Sequence, residues 1–206
     1  MAAEIQTINP EKPNPRLIRH AVQILQRGGI VVYPTDTIYG LGADIFNKEA
    51  MKRISRIKDV GGGKLLSFIC PDLHDIATWA YLSNAAFRIM RRVTPGKYTF
   101  VLTASRQLPK VLLQKRRTVG IRIPDAPVAL ALARELGRPL LSTSVPAGEE
   151  DFFTDPREIA ISFRHEVDLI LDAGIMANEP STIIDLSGDE LMILRQGAGD
   201  VDLLFR

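Results

Sequence analysis

Apolar residues recur along the chain in two rhythms, short blocks of consecutive aliphatics and longer stretches with a helical repeat. Ile30 to Tyr33, Leu65 to Cys70, Tyr98 to Thr103, Thr118 to Ile123, Leu140 to Ser144, Asp168 to Asp172, Thr182 to Leu186 and Leu191 to Arg195 read as strands. Asn14-Pro15, a capping residue before a proline, opens a helix whose apolar face is Leu17, Ile18, Ala21, Val22 and Leu25 and which stops at Gly28-Gly29. A second helix runs from about Asn47, with Met51, Ile54 and Ile57 on one face, into Gly61-Gly62-Gly63. Helical patterns also cover Leu73 to Ala80 and Ser83 to Val93, a stretch capped by Asp125 that ends at Gly137, and a short segment from Asp155-Pro156. Pro34 to Gly42 reads as a loop.

Helices and strands intermix throughout, so the pattern predicts a single α/β (α+β) domain over residues 1–206, with its core at about 14–200. Blocks that are apolar on successive residues call for helices over much of the sheet. The last three strands follow one another on short connections, which makes the sheet mixed rather than purely parallel. No internal repeat or low-complexity segment is present.

At 46% hydrophobic and 24% charged residues, the composition is that of a globular protein. The longest apolar runs fall far short of the ~20 residues needed to span a bilayer, so no membrane partner is expected. The first 15 residues carry Glu4, Glu11 and three prolines and lack a basic-then-apolar run, and the single cysteine, Cys70, has no partner for an internal disulfide. Both features predict a cytoplasmic protein. The three histidines have no metal-ligand spacing, so no metal site is expected. The net charge of +2 conceals an asymmetry: residues 1–122 hold 20 Lys+Arg against 8 Asp+Glu, and the remainder hold 6 against 16. Either the basic half meets an anionic partner, or the two halves interleave and their fields cancel.

The chemistry-bearing residues sit at strand ends. Pro34 to Gly42 sets Thr35, Thr37 and Tyr39 hydroxyls around Asp36, with glycines that permit close backbone approach to a ligand; the alternative is a turn whose polar groups satisfy one another. Arg122 lies in the apolar strand Val119 to Pro124, where a charge needs an anionic ligand or a buried partner such as Asp36. Ser142-Thr143-Ser144, Ser181-Thr182 and Arg195 repeat the theme, and together these ends would make a polar anion pocket. Gly61-Gly62-Gly63-Lys64 is not a Walker loop, because Leu65 replaces the required Ser or Thr. No GxSxG elbow or paired catalytic carboxylates appear, which argues against hydrolases.

PTDTIYGLG at 34–42, PGKYTFVL at 95–102, VGIRIP at 119–124, STII at 181–184 and LRQG at 194–197, in this order, resemble the YrdC/YciO or threonylcarbamoyl-adenylate synthase family, and the Ser142 to Ser144 and PSTII segments look like its YciO branch. The resemblance implies a twisted open mixed sheet with a large concave cavity. It also implies an activity joining ATP, L-threonine and bicarbonate into threonylcarbamoyl-AMP and pyrophosphate, linked to tRNA modification. Thr35, Tyr39 and Arg122 would then hold threonine, and Lys58, Ser142, Ser144, Ser181 and Arg195 would hold ATP with Mg²⁺, Lys58 and Arg122 acting in catalysis. The family's K-x-R motif is Lys58-Asp59-Val60 here, its P-L-x-x-H histidine falls on Phe68, and its S-x-N asparagine falls on Pro146. These losses imply a weakened synthase. The rival expectation is a noncatalytic, double-stranded RNA-binding or ribosome-associated protein using Arg88, Arg91, Arg92, Lys110, Lys115, Arg116 and Arg117. Adenylation of another small carboxylate is a third.

Overall fold

A computed structural model describes residues 3–59, 67–109, 117–148 and 151–205. Its elements are β1 (Glu4–Thr7), α1 (Pro15–Gln26), β2 (Val31–Tyr33), β3 (Gly40–Asp44), α2 (Lys48–Asp59), β4 (Ser67–Ile69), α3 (Leu73–Trp79), β5 (Ala80–Tyr81) and α4 (Asn84–Val93). There follow β6 (Tyr98–Ala104), β7 (Thr118–Arg122), α5 (Pro127–Leu136), β8 (Leu140–Ser144), α6 (Pro156–Ser162), β9 (Leu169–Asp172), β10 (Thr182–Asp185) and β11 (Met192–Arg195), with a 3-10 turn at Val201–Leu204. The strands join one open mixed sheet in the order β1-β9-β2-β3-β8-β4-β7-β6-β10-β11, with β5 paired to β6. The expected mixed α/β architecture is what the chain adopts.

Local chemistry accounts for most boundaries. The Asn14 side chain accepts the Arg16 N–H at 2.9 Å with Pro15 in the first turn of α1. Ser83 caps α4 through the Ala86 N–H, and Gly137 ends α5 in the left-handed conformation, φ 70°. Three expectations are corrected. Residues 40–44, expected to begin within a loop, form β3 and pair with both β2 and β8. The N-terminal residues 4–7 form an edge strand parallel to β9. The residue before α5 is Ala126, with no side-chain cap, and Asp125 instead gives its N–H to Asp36 Oδ2 at 3.0 Å.

The two sheet faces have different fates. On one, Val32, Leu41, Phe68, Phe100, Ile121, Leu141 and Ile184 form a continuous core with Met51, Ile54 and Ile57 of α2, Ile76 of α3 and Met90 of α4. On the other, α1 and α5 cover only the β9, β2 and β8 region, packing on Val31, Tyr33, Ile69, Leu140, Leu169 and Leu171. Successive strand residues alternate between faces, so Ser142 and Ser144 of β8, Gly120 and Arg122 of β7, and Thr99 and Val101 of β6 share this second face. Beyond the reach of α5 they floor an open cavity of about 400 Å³.

Candidate functional site

Arg122 is the buried charge at the centre of the cavity wall. Its Nη2 forms an ion pair with Asp36 and donates to Thr37 Oγ1 at 2.9 Å. Asp36 is the buried partner anticipated as the alternative to a ligand. Yet Arg122 Nε, equally buried, has no partner among the described residues, and Arg122 lines the cavity. A buried donor left unbonded is costly, and that cost falls on a residue that lines the cavity. Burial draws the Arg122 pKa below the ordinary arginine value, against the opposing pull of Asp36.

Arg195 enters from the far strand. Between Ile183 and Ile184 the pairing with β11 slips, so Ile183 faces Arg195 while Ile184 faces Ile193. The extra residue, Leu194, and Arg195 both reach the cavity; bulges re-aim side chains in this way. Arg195 Nε and Nη2 both donate to the Ser181 carbonyl, at 3.1 and 2.7 Å. Burial lowers its pKa first, and the like charge of Arg122 lowers it further. Two guanidiniums thus line one cavity, Arg122 ion-paired with Asp36 and Arg195 without a carboxylate partner among the described residues, an arrangement that can receive an anion.

The hydroxyls complete the lining. Ser181 and Thr99 share a 2.8 Å hydrogen bond, Ser67 Oγ donates to the Ser142 carbonyl at 2.9 Å, and Ser144 lines the same wall. Thr35 Oγ1 donates to the Ile38 carbonyl at 2.7 Å and accepts the Thr37 N–H at 3.1 Å, holding the β2–β3 loop against the rim. Tyr39 donates to the Gly174 carbonyl at 2.7 Å and accepts the Ala173 N–H at 3.0 Å. Its phenol is pushed up to about 12, chiefly by burial.

Thr35, Tyr39, Arg122, Ser142, Ser144, Ser181 and Arg195 therefore surround one cavity, as the strand-end pattern anticipated. Lys58 belongs to the last turn of α2, and its side chain, like Val60 and the Gly61-Gly62-Gly63-Lys64 stretch, lies outside the described residues. Two details change. Phe68 points into the core, 1% exposed, and it is Ser67 that lines the cavity. The glycines of β3 make room for a protein side chain, since a Cβ at Gly40 or Gly42 would lie 2.9 or 2.7 Å from the Tyr33 ring. Thr99, Val101 and Phe152 were missed, because isolated small or apolar residues in a strand or loop carry no sequence signal of their own. Among the described residues no cluster of three or more His, Cys, Asp or Glu is placed to hold a metal, and no helix is long and apolar enough to cross a membrane.

A sequence profile of the Sua5/YciO/YrdC family, described as telomere recombination, matches residues 23–197. The chain belongs to this family. The Sua5/YciO/YrdC relatives include YciO of Escherichia coli strain K12, 44% identical over 196 residues, 94% of this chain and 95% of that one. The crystal structure of E. coli YciO superposes with a TM-score of 0.93, covering 98% and 99% of the two chains. The threonylcarbamoyl-AMP synthase of Chromobacterium violaceum is 34% identical, over 89% of this chain and 95% of its own. P. abyssi Sua5 complexed with L-threonine superposes with a TM-score of 0.85 at 29% identity, over 94% of this chain and 57% of that one.

Proposed function

We propose that the protein is a nucleotidyltransferase of the threonylcarbamoyl-AMP synthase type, with ATP-Mg²⁺, L-threonine and bicarbonate as substrates. The observation that carries this reading is the meeting of Arg122 and Arg195 on one cavity whose lining also holds Thr35, Ser142, Ser144 and Ser181. The synthases among its relatives and the threonine complex of a structural neighbour point to the same substrates.

In the proposed reaction the threonine amine adds to bicarbonate with loss of water, giving a carbamate. A carbamate oxygen then forms a bond to the α-phosphorus as the bond to the β-phosphate oxygen breaks, and pyrophosphate leaves. No covalent enzyme intermediate is needed. The work of the protein is to bring two anions together and to hold them in line. Arg122, with Thr35 and Tyr39 at the rim, would hold threonine or its carbamate. Lys58, Ser142, Ser144, Ser181 and Arg195 would hold the nucleotide. Val60 and Pro146 stand where the synthase motifs carry arginine and asparagine, and loss of the bidentate donor would slow turnover by on the order of 10²-fold.

The test is purified protein with ATP, Mg²⁺, bicarbonate and L-threonine, followed by mass spectrometry of the adduct and by pyrophosphate release. Threonine-dependent pyrophosphate, slower than from a main-branch synthase assayed alongside, is the expected result. Pyrophosphate that does not depend on threonine would point to another acceptor carboxylate, and absence of ATP binding would remove the enzymatic reading.

The second reading is a noncatalytic RNA-binding protein. It is favoured by Arg88, Arg91 and Arg92, exposed along α4 near Phe87, which is 38% exposed. Arg117 is exposed as well, whereas Lys110, Lys115 and Arg116 lie outside the described residues. Phosphate contacts release counterions, so binding to structured RNA by this surface should weaken steeply with salt and on R88E/R91E substitution.

A further inference from the structure

Thr182 is a buried hydroxyl that the reaction above does not use. It opens β10, where its N–H donates to the Lys97 carbonyl at 3.1 Å and its neighbour across the sheet is Tyr98. Although its side chain is polar, it is 0% exposed. Its Oγ1 donates to the Gly199 carbonyl at 2.7 Å and accepts the N–H groups of Gly197 and Gly199, at 3.0 and 3.1 Å. A hydroxyl has one proton to give and two lone pairs to fill. All of them are engaged by the turn that follows Arg195.

Two further contacts press the same turn against the residues before Thr182. The Ala198 N–H donates to the Pro180 carbonyl at 2.9 Å, and Gly197 packs so closely that a Cβ there would lie 2.2 Å from that carbonyl oxygen and 2.8 Å from that of Ser181. The Ser181 carbonyl is the one that accepts both Nε and Nη2 of Arg195. Arg195 is thus fixed at two ends. Its backbone runs into a turn tied to Thr182, and its guanidinium rests on the carbonyl immediately before Thr182. Holding a long side chain in one rotamer before a ligand arrives removes an entropy cost from binding.

We propose that Thr182 is a positioning residue for Arg195, its hydroxyl clasping the 196–199 turn to the start of β10 so that the guanidinium meets an anionic ligand already oriented. The proposal deepens the nucleotide-binding reading and rests on it for the identity of the ligand, the phosphate groups of ATP. The N–H groups of Arg195 beyond the two that Ser181 takes are those a phosphate would engage. Threonine suits the task, because its β-branched side chain has few rotamers and holds the hydroxyl in place.

The experiment measures binding of ATP with Mg²⁺ by calorimetry for wild type, Thr182→Val, Thr182→Ser, Arg195→Ala and the Thr182→Val/Arg195→Ala double variant. Valine keeps the shape of the side chain and removes the hydroxyl. The Kd should rise about five- to tenfold in Thr182→Val and stay within about twofold of wild type in Thr182→Ser. The double variant should bind like Arg195→Ala, because a clasp has nothing left to position once the guanidinium is gone. A valine penalty that persists undiminished in the Arg195→Ala background belongs to the fold alone and would overturn the proposal. Wild-type affinity in Thr182→Val, or a loss in Thr182→Ser as large as valine's, would do the same. Hydrogen exchange followed by NMR in the wild-type protein judges it without variant or ligand. The Arg195 Nε–H should be protected together with the Gly197 and Gly199 amides, all three released by one local opening as urea is added. An Arg195 Nε–H that exchanges freely while those amides stay protected refutes it. Failure of wild type to bind ATP would remove the nucleotide reading and leave the exchange result to decide on Thr182.

Discussion

Arg122 illustrates how a single position serves stability and binding at once. Its ion pair with Asp36 is almost wholly shielded, the two side chains being 9% and 6% exposed. Removing one member of such a pair leaves an uncompensated charge, so Arg122→Met should lower the unfolding free energy by about 3–5 kcal/mol in urea titrations. Adding Asp36→Asn should recover much of that loss. If the double variant is no more stable than the single, the pair is not coupled. Tyr39 gives a pH-dependent effect. Its folded pKa of about 12 lies above its ordinary value of 10, so the stability it confers is complete below pH 10 and is lost as pH rises through about 12. Melting temperatures followed across that window should fall less steeply for Tyr39→Phe than for wild type, and parallel curves would contradict this. Arg122 and Arg195 were legible in the sequence because a charge inside an apolar strand is expensive and conspicuous. Ser67, Thr99 and Gly120 were not, since a small residue in a strand looks the same whether it floors a cavity or meets solvent.

Among the elements, capped helices and aliphatic strands were read to within a few residues, and the strands lacking an ordinary pattern were not. Gly40-Leu41-Gly42 has a loop composition, yet forms the first three residues of β3, because the hydrogen atoms of its glycines are what a buried tyrosine can pack against. Gly42→Ala should therefore destabilise the protein by about 1–3 kcal/mol, the range for overpacking a filled core. Tyr33→Leu, which removes the ring from the Cβ path, should relieve part of it. Equal penalties with and without the tyrosine would place the clash elsewhere. β1 escaped for the opposite reason. All four of its residues are exposed and held by backbone pairing with β9, leaving no hydrophobic periodicity to find.

At the level of the whole molecule, the basic and acidic halves of the sequence do not form two lobes. β8, β9 and β10 from the acidic half sit beside β3 and β4, β1 and β2, and β6 of the basic half. This is the interleaved arrangement that a net charge of +2 allowed, and it carries a consequence for biosynthesis. Until Leu169–Asp172 has emerged from the ribosome, β1 has no strand to join and the β2 edge, Val31-Val32, stands open to other chains. Folding must wait for contacts more than a hundred residues apart. A nascent chain stalled near residue 148 should bind trigger-type holdases and resist compaction, whereas two separately made pieces meeting at that point should complement one another, the second piece supplying β9 and β10 to the gaps left in the first. Recovery of a cooperative thermal unfolding transition on mixing pieces 1–148 and 149–206, each lacking one alone, is the expected readout, and a first piece that melts like the intact chain would show that the late strands are dispensable.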